Sequence, residues 1–181
     1  MVRLVSVALH HRDRFSEECF RKTLGYQSYH WGIIIMPQEG QGQLCHTFEA
    51  TDASEIDPVT FRLQNPTMDW WMRSRLDVHL ELSGKLLGRI VIGQVPEEMS
   101  TADLKDVFDK VPLPVKDTHP QQSCVTWAVD AIRHLQRLGW VSEFQLDQFM
   151  DSALAYGHDR MLKDGKSTEP KVKYYSVEQP Q

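Results

Sequence analysis

Cys124 and His30 are the side chains whose type and setting most directly support chemistry. Cys124 falls in the first turn of a predicted helix, Ser123 to Leu138, just after a loop with three prolines between Val111 and Pro120. A helix N-terminus offers free N–H groups and a partial positive charge, and both lower a thiol pKa. The same N–H groups can receive an oxyanion forming on an attacked carbonyl. His30 lies early in a strongly apolar strand, between Tyr29 and Trp31. A histidine on a strand facing a helix-N-terminal cysteine is the geometry of a thiol–imidazole pair. Such a pair attacks an amide, ester or thioester carbonyl and forms an acyl-enzyme. The plain alternatives are a buried structural cysteine and a histidine satisfied by one hydrogen bond.

The elements around these residues are legible in outline. Val2 to Leu9 is rich in β-branched residues and predicts a strand. Ser16 to Leu24 predicts a short helix capped by Ser16 and ended by Gly25. Ser28 to Met36 and Leu44 to Thr51 predict two strands joined as a hairpin by the glycine-bearing loop Gln38 to Gln43. Val59 to Leu63 is a further candidate strand, and Leu76 to Leu82 alternates as a half-buried strand does. Leu86 to Val95 predicts another, with Gly88 and Gly93 as bulge candidates. Ser100 to Lys110 predicts a helix with a capping box of Ser100 and Asp103. Val125, Ala128, Val129, Ile132, Leu135 and Leu138 follow the helical period, and Gly139 supplies the C-cap. Ser142 to Met161 predicts the last helix. Strands dominate the first half and helices the second, which predicts an α+β fold with an antiparallel sheet packed against helices. The expected organisation is one domain over 1–165 and a polar, partly disordered tail over 166–181.

Tyr29-His30-Trp31-Gly32-Ile33-Ile34-Ile35, then a glycine loop, then Thr47-Phe48-Glu49-Ala50, then the distant Ser123-Cys124 opening a helix, resembles the circularly permuted papain-like superfamily. That group includes NlpC-type relatives, lecithin:retinol acyltransferase-like proteins and PPPDE-type isopeptidases. In its permuted members a His-Xaa-Gly-Ile strand precedes the cysteine helix. The resemblance covers Tyr29 to Ala50 and Gln121 to Leu138. It implies a permuted papain-like fold, Cys124 as nucleophile, His30 as general base, and a polar third residue on the following strand.

Glu49 and His46 are the candidates for that third position. Side chains alternate between sheet faces, so the partner must share the face of His30. A register with Glu49 opposite Gly32 puts Glu49 diagonal to His30; a one-residue slip puts His46 on that face instead. The Thr-Phe-Glu-Ala match favours Glu49. For the oxyanion site and substrate contacts the candidates are Gln121, Gln122 and His119 upstream of Cys124, with Tyr29 as a substitute. Trp31, Trp70 and Trp71 are aromatic candidates for a cleft.

The remaining features narrow the classes. The net charge of -5 gives no electrostatic reason to expect nucleic acid, and no Walker A loop or dinucleotide fingerprint occurs. The three cysteines, Cys19, Cys45 and Cys124, lack zinc spacing and make a disulfide framework unlikely, which fits a reducing, cytoplasmic setting. His10-His11 lacks a third metal ligand at useful spacing. No run approaches the ~18 apolar residues of a membrane helix, so no membrane anchor is expected. The expected function is a cysteine-nucleophile hydrolase, acyltransferase or cyclase on a small-molecule or peptide substrate, with no metal or cofactor. An inactive binding module on the same fold is the alternative.

Overall fold

The computed structural model describes residues 1–40, 42–163 and 171–176. Its strands are β1 (Arg3–His11), β2 (Tyr29–Pro37), β3 (Cys45–Thr51), β4 (Glu55–Ile56), β5 (Leu63–Gln64), β6 (Trp71–Val78), β7 (Leu86–Val95) and β8 (Val172–Tyr174). Its helices are α1 (Glu18–Leu24), α2 (Thr101–Asp109), α3 (Cys124–Arg137) and α4 (Leu146–Lys163). Six strands form one sheet in the order β6-β3-β2-β1-β7-β8, while β4 and β5 form a separate two-stranded ribbon. Every pairing in the main sheet is antiparallel except β7 with β8. The fold is mixed α+β.

Alternation along the strands divides the core into two layers. Val5, Val7, Leu9, Trp31, Ile33 and Phe48 face the helices and pack with residues such as Trp127, Ala128 and Ile132 of α3. Phe48 stacks on Phe108 at 4.2 Å between ring centroids. The opposite face holds a smaller cluster built on Leu4, Ala8, Ile34, Met36, Leu80 and Val91. Because apolar residues are needed on both faces, β2 reads as a continuous hydrophobic run instead of an alternating one.

α3 buries Ala128, Ile132 and Leu135 as its period requires, but its face is rotated toward Trp127 and Ala131, and Leu138 is exposed. Fully burying a side chain of this size stabilises by about 1.5–3 kcal/mol, which anchors the helix on β2 and β3. Gly139 follows at φ 75°, the left-handed conformation that ends the helix. The Ser100–Asp103 capping box forms on α2.

Several elements differ from the sequence expectation. Ser16 does not cap α1; it is buried, accepts from Arg12 N–H at 2.7 Å and donates to Ser28 O at 2.6 Å. Of Val59 to Leu63 only Leu63 is strand, opening β5; the rest is the turn and return of the β4–β5 ribbon. The strand expected at Leu76 to Leu82 is displaced: β6 begins at Trp71 and ends at Val78. Asp77 at φ 52° and a register shift against β3 interrupt it, and Leu80–Leu82 turns into a short 3-10 helix. α4 starts at Leu146, because Val141 bridges Gly93 and holds the preceding chain extended. β7 carries register shifts against β1 beside Gly88 and Gly93. Within the expected tail, β8 adds an edge strand and Tyr175 packs on Phe144 and Phe149. Residues 166–170 and 177–181 of that tail, and Gln41 of the hairpin loop, lie outside the described residues.

Candidate active site

Cys124 is placed by the start of α3. Ser123 caps the helix: its hydroxyl accepts from Val125 N–H at 3.2 Å, and its own N–H donates to Thr126 Oγ1 at 3.1 Å. That box satisfies the donors behind Cys124 and leaves the Cys124 N–H, at the first helical position, without an acceptor inside the helix.

His30 is placed by β1 and β2, where it pairs directly with His10. The β2–β3 ladder holds Ile33 against Phe48, Ile34 against Thr47 and Ile35 against His46. Beyond Ile33 and Phe48 the two strands no longer pair with each other, while β2 stays paired with β1 and β3 with β6. At this parting the N-terminus of α3 brings Cys124 against the His30 ring and beside the Trp31 backbone N–H, close enough for both to lower the thiol pKa.

The same register puts Glu49 beside Gly32. A Cβ at Gly32 would lie 3.2 Å from Glu49 Cβ and 3.1 Å from Phe48 O, so the missing side chain makes room for the carboxylate. His30 Nε2 donates to Glu49 Oε2 at 2.5 Å. Nδ1 is then the nitrogen left for the thiol. Glu49 Oε1 accepts from Arg73 Nε at 2.8 Å and from its terminal nitrogen at 2.7 Å. Arg73 stands directly across from Glu49 on β6 and also pairs with Glu55. His46, the other candidate, lies on the opposite face near the far end of β3, where its Nδ1 accepts from Asp77 N–H at 3.3 Å.

The electrostatics favour an ion pair. Burial alone would push the His30 pKa down, but hydrogen bonds to Cys124 and Glu49 and their charges outweigh it and raise it to about 10. Burial alone would push the Cys124 thiol up; the His30 cation, the Trp31 N–H and Arg12 outweigh that and bring it below its ordinary value. Glu49 is held well below the carboxylate range by His30 and Arg73, against its own burial. His10, whose ring centroid is 6.0 Å from that of His30, is driven down to about 4, chiefly by burial.

Cys124 opens on a cleft of about 330 Å³ whose walls include Arg12, Gln27, Trp70, Lys116, Gln121 and Gln122. Gln122 is partly committed, since its Oε1 accepts from Val115 N–H at 2.8 Å. Gln121 is exposed, and its amide donates to Gln122 O at 3.3 Å. Tyr29 and the Trp31 ring are turned into the core, the Trp31 indole donating to Tyr26 O at 2.8 Å, so neither ring reaches the cleft. Trp31 contributes its backbone instead. Trp70 lines the cleft, while Trp71 is tied to Ala53 O at 3.1 Å and does not. His119 is exposed and does not line the cleft. Cys19 is exposed, and Cys45 is buried far along β3 with its thiol pushed up to about 11, chiefly by burial.

Four residues absent from the sequence reading of the site join it here. Gln27 donates to Ser123 Oγ at 2.6 Å and flanks Cys124. Arg12 donates to Gln27 O at 2.5 Å. Arg73 orients Glu49, and His10 stands beside His30. Only Arg73 left a usable trace, as a cation that a strand starting at Trp71 would set opposite Glu49. Among the described residues no three His, Cys, Asp or Glu side chains converge to hold a metal ion, and no helix is long and apolar enough to cross a membrane.

The chain belongs to DUF6914, a family of unknown function, whose profile matches residues 3–169. No curated protein and no solved structure matches it.

Proposed function

We propose that this protein is a cysteine-nucleophile acyl-transfer enzyme on a permuted papain-like scaffold. It acts as a hydrolase, acyltransferase or cyclase on an amide, ester or thioester bond of a small-molecule or peptide substrate. One observation carries the reading: His30 is held between a helix-N-terminal thiol and a buried carboxylate that Arg73 fixes in turn. The chain order His30, Glu49, Cys124 is that of the permuted arrangement.

In this reading the Cys124 thiolate attacks the carbonyl carbon, and the carbonyl π electrons move to oxygen. The Cys124 N–H receives the oxyanion. Gln27 assists: one of its two amide hydrogens is committed to Ser123 Oγ, leaving the other for the cleft. As the tetrahedral intermediate collapses, His30 Nδ1 gives its proton to the leaving nitrogen, oxygen or sulfur, and the acyl group stays on sulfur as a thioester. The neutral imidazole then takes a proton from water, an alcohol or an amine as that group attacks, and the thiolate leaves. Glu49 keeps Nε2 protonated and the ring aimed throughout.

The test is iodoacetamide labelling of Cys124 against pH, with His30→Ala beside it, followed by exposure to p-nitrophenyl acetate. The expected result is fast labelling at pH 6, at least tenfold slower in the variant, and one acetyl group on Cys124 by mass spectrometry. Slow labelling at pH 6 that ignores His30 would refute the reading and favour a binding module.

A further inference from the structure

A second cavity, about 790 Å³, opens on the other side of His30 and Glu49 and meets the Cys124 cleft at Arg12, His30 and Thr51. Five cations line it, Arg12, Arg14, Arg73, Arg75 and Lys85, against two carboxylates, Asp13 and Glu49. Three of the cations are already paired with carboxylates. Arg73 and Arg75 bind Glu49 and Glu55, and Lys85 lies 3.2 Å from Asp13. Arg12 and Arg14 have no carboxylate at ion-pair distance among the described residues. Each guanidinium carbon instead sits 5.2 Å from the Phe15 ring centroid, which holds the two charges at the cavity wall. His10 Nδ1, buried and without a hydrogen-bond partner, lines the same space. The whole chain carries a net charge of -5, so an excess of fixed positive charge beside its nucleophile is local, not a general surface property.

Resting on the thiol-enzyme reading above, we infer that the substrate carries an anionic group, a carboxylate or a phosphate, which Arg12 and Arg14 hold in this cavity while its acyl bond lies at Cys124. Arg12 borders both spaces and so links recognition to chemistry. Arg14 and Lys85 draw the anion to the mouth, and the paired Arg73 keeps to its task on Glu49.

Two measurements test this on the intact protein. In the first, sodium phosphate and sodium glutarate are each titrated into the protein and followed by calorimetry, then into an Arg14→Ala/Lys85→Ala double variant and a Lys105→Ala control on the remote α2. The expected result is saturable binding of one or both anions, weakened about tenfold or more in the double variant and unchanged in the control. Binding of phosphate alone or glutarate alone identifies the anion. No saturable binding of either, or equal binding in the double variant, overturns the inference whatever the thiol does. In the second, labelling rates with iodoacetate and iodoacetamide are compared, each scaled to a free thiol in the same buffer. The scaled ratio should exceed unity by about tenfold, fall toward unity in the double variant, and shrink with added salt as screening shortens. A ratio near unity with fast iodoacetamide labelling rejects the anion site and spares the thiol reading. Slow labelling by both reagents rejects the thiol reading itself.

Discussion

Glu49→Gln separates the two acceptor oxygens on which the site is built. In the native site Oε2 faces the His30 Nε2 proton at 2.5 Å and Oε1 faces Arg73 at 2.7 and 2.8 Å, so both oxygens meet donors. A carboxamide has one oxygen and one NH2 group. With its oxygen toward Arg73, the NH2 confronts the His30 N–H unless the imidazole gives up that proton. With its oxygen toward His30, the NH2 confronts Arg73. Either way the imidazolium loses its anion. A charge-assisted hydrogen bond contributes about 1.5–3 kcal/mol, and 1.36 kcal/mol is about one pKa unit. The His30 titration should therefore fall by about 1–2 units from its native value near 10. The thiol step should hold or drop slightly, because a nearby negative charge is removed from the thiolate. The assay is a pH titration of the 13C-labelled His30 ring by NMR, with iodoacetamide labelling reporting the thiol step, so the two macroscopic events of the pair are followed separately. A His30 titration that stays near its native value would show that Glu49 does not hold the imidazolium and would refute the reasoning.

Other perturbations follow from the same contacts. Gly32→Ala sets a Cβ at 3.1–3.2 Å from β3, so the carboxylate must yield by a few tenths of an ångström; thermal denaturation should report a loss of about 1–2 kcal/mol, with His30 titrating lower as well. At Gly93 a Cβ would lie 2.1 Å from Trp140 O, which must displace the bridge to Val141, and Gly93→Ala should destabilise by about 3 kcal/mol or more in urea unfolding. His10 has a folded pKa near 4 against an ordinary 6.5, so between these values the unfolded chain binds a proton that the folded chain does not. Stability should accordingly fall by roughly 2–3 kcal/mol as pH drops from 6.5 to 4, and a His10→Gln variant should lose that slope; an unaltered slope would contradict the assignment. Glu49 titrates below its unfolded value, so its contribution is present above about pH 4.5 and fades as pH falls further, a dependence Glu49→Gln should abolish.

Local chemistry in the chain specified much of this arrangement without help from distant residues. The helical period from Val125 to Leu135, the Ser100–Asp103 box, the Gly139 stop and the β-branched runs of β1, β2 and β7 each express preferences satisfied within a few residues. The same locality made Cys124 and His30 stand out, one by its place after a proline-rich loop and the other by its place in an apolar strand. The choice of Glu49 over His46 was a question of register, and register is decided by pairing across the sheet, where a one-residue slip reverses every side chain. Arg73, Gln27 and His10 entered the site only through long-range packing. β6 had to pair with β3, the start of β2 had to meet the cap of α3, and β1 had to lie beside β2. The displaced β6 and the late start of α4 have the same origin: a positive φ at Asp77 and a bridge from Val141 to Gly93 override the local pattern. The parting of β2 from β3, which gives Cys124 its opening, is a property of three elements at once and has no signature in any one of them.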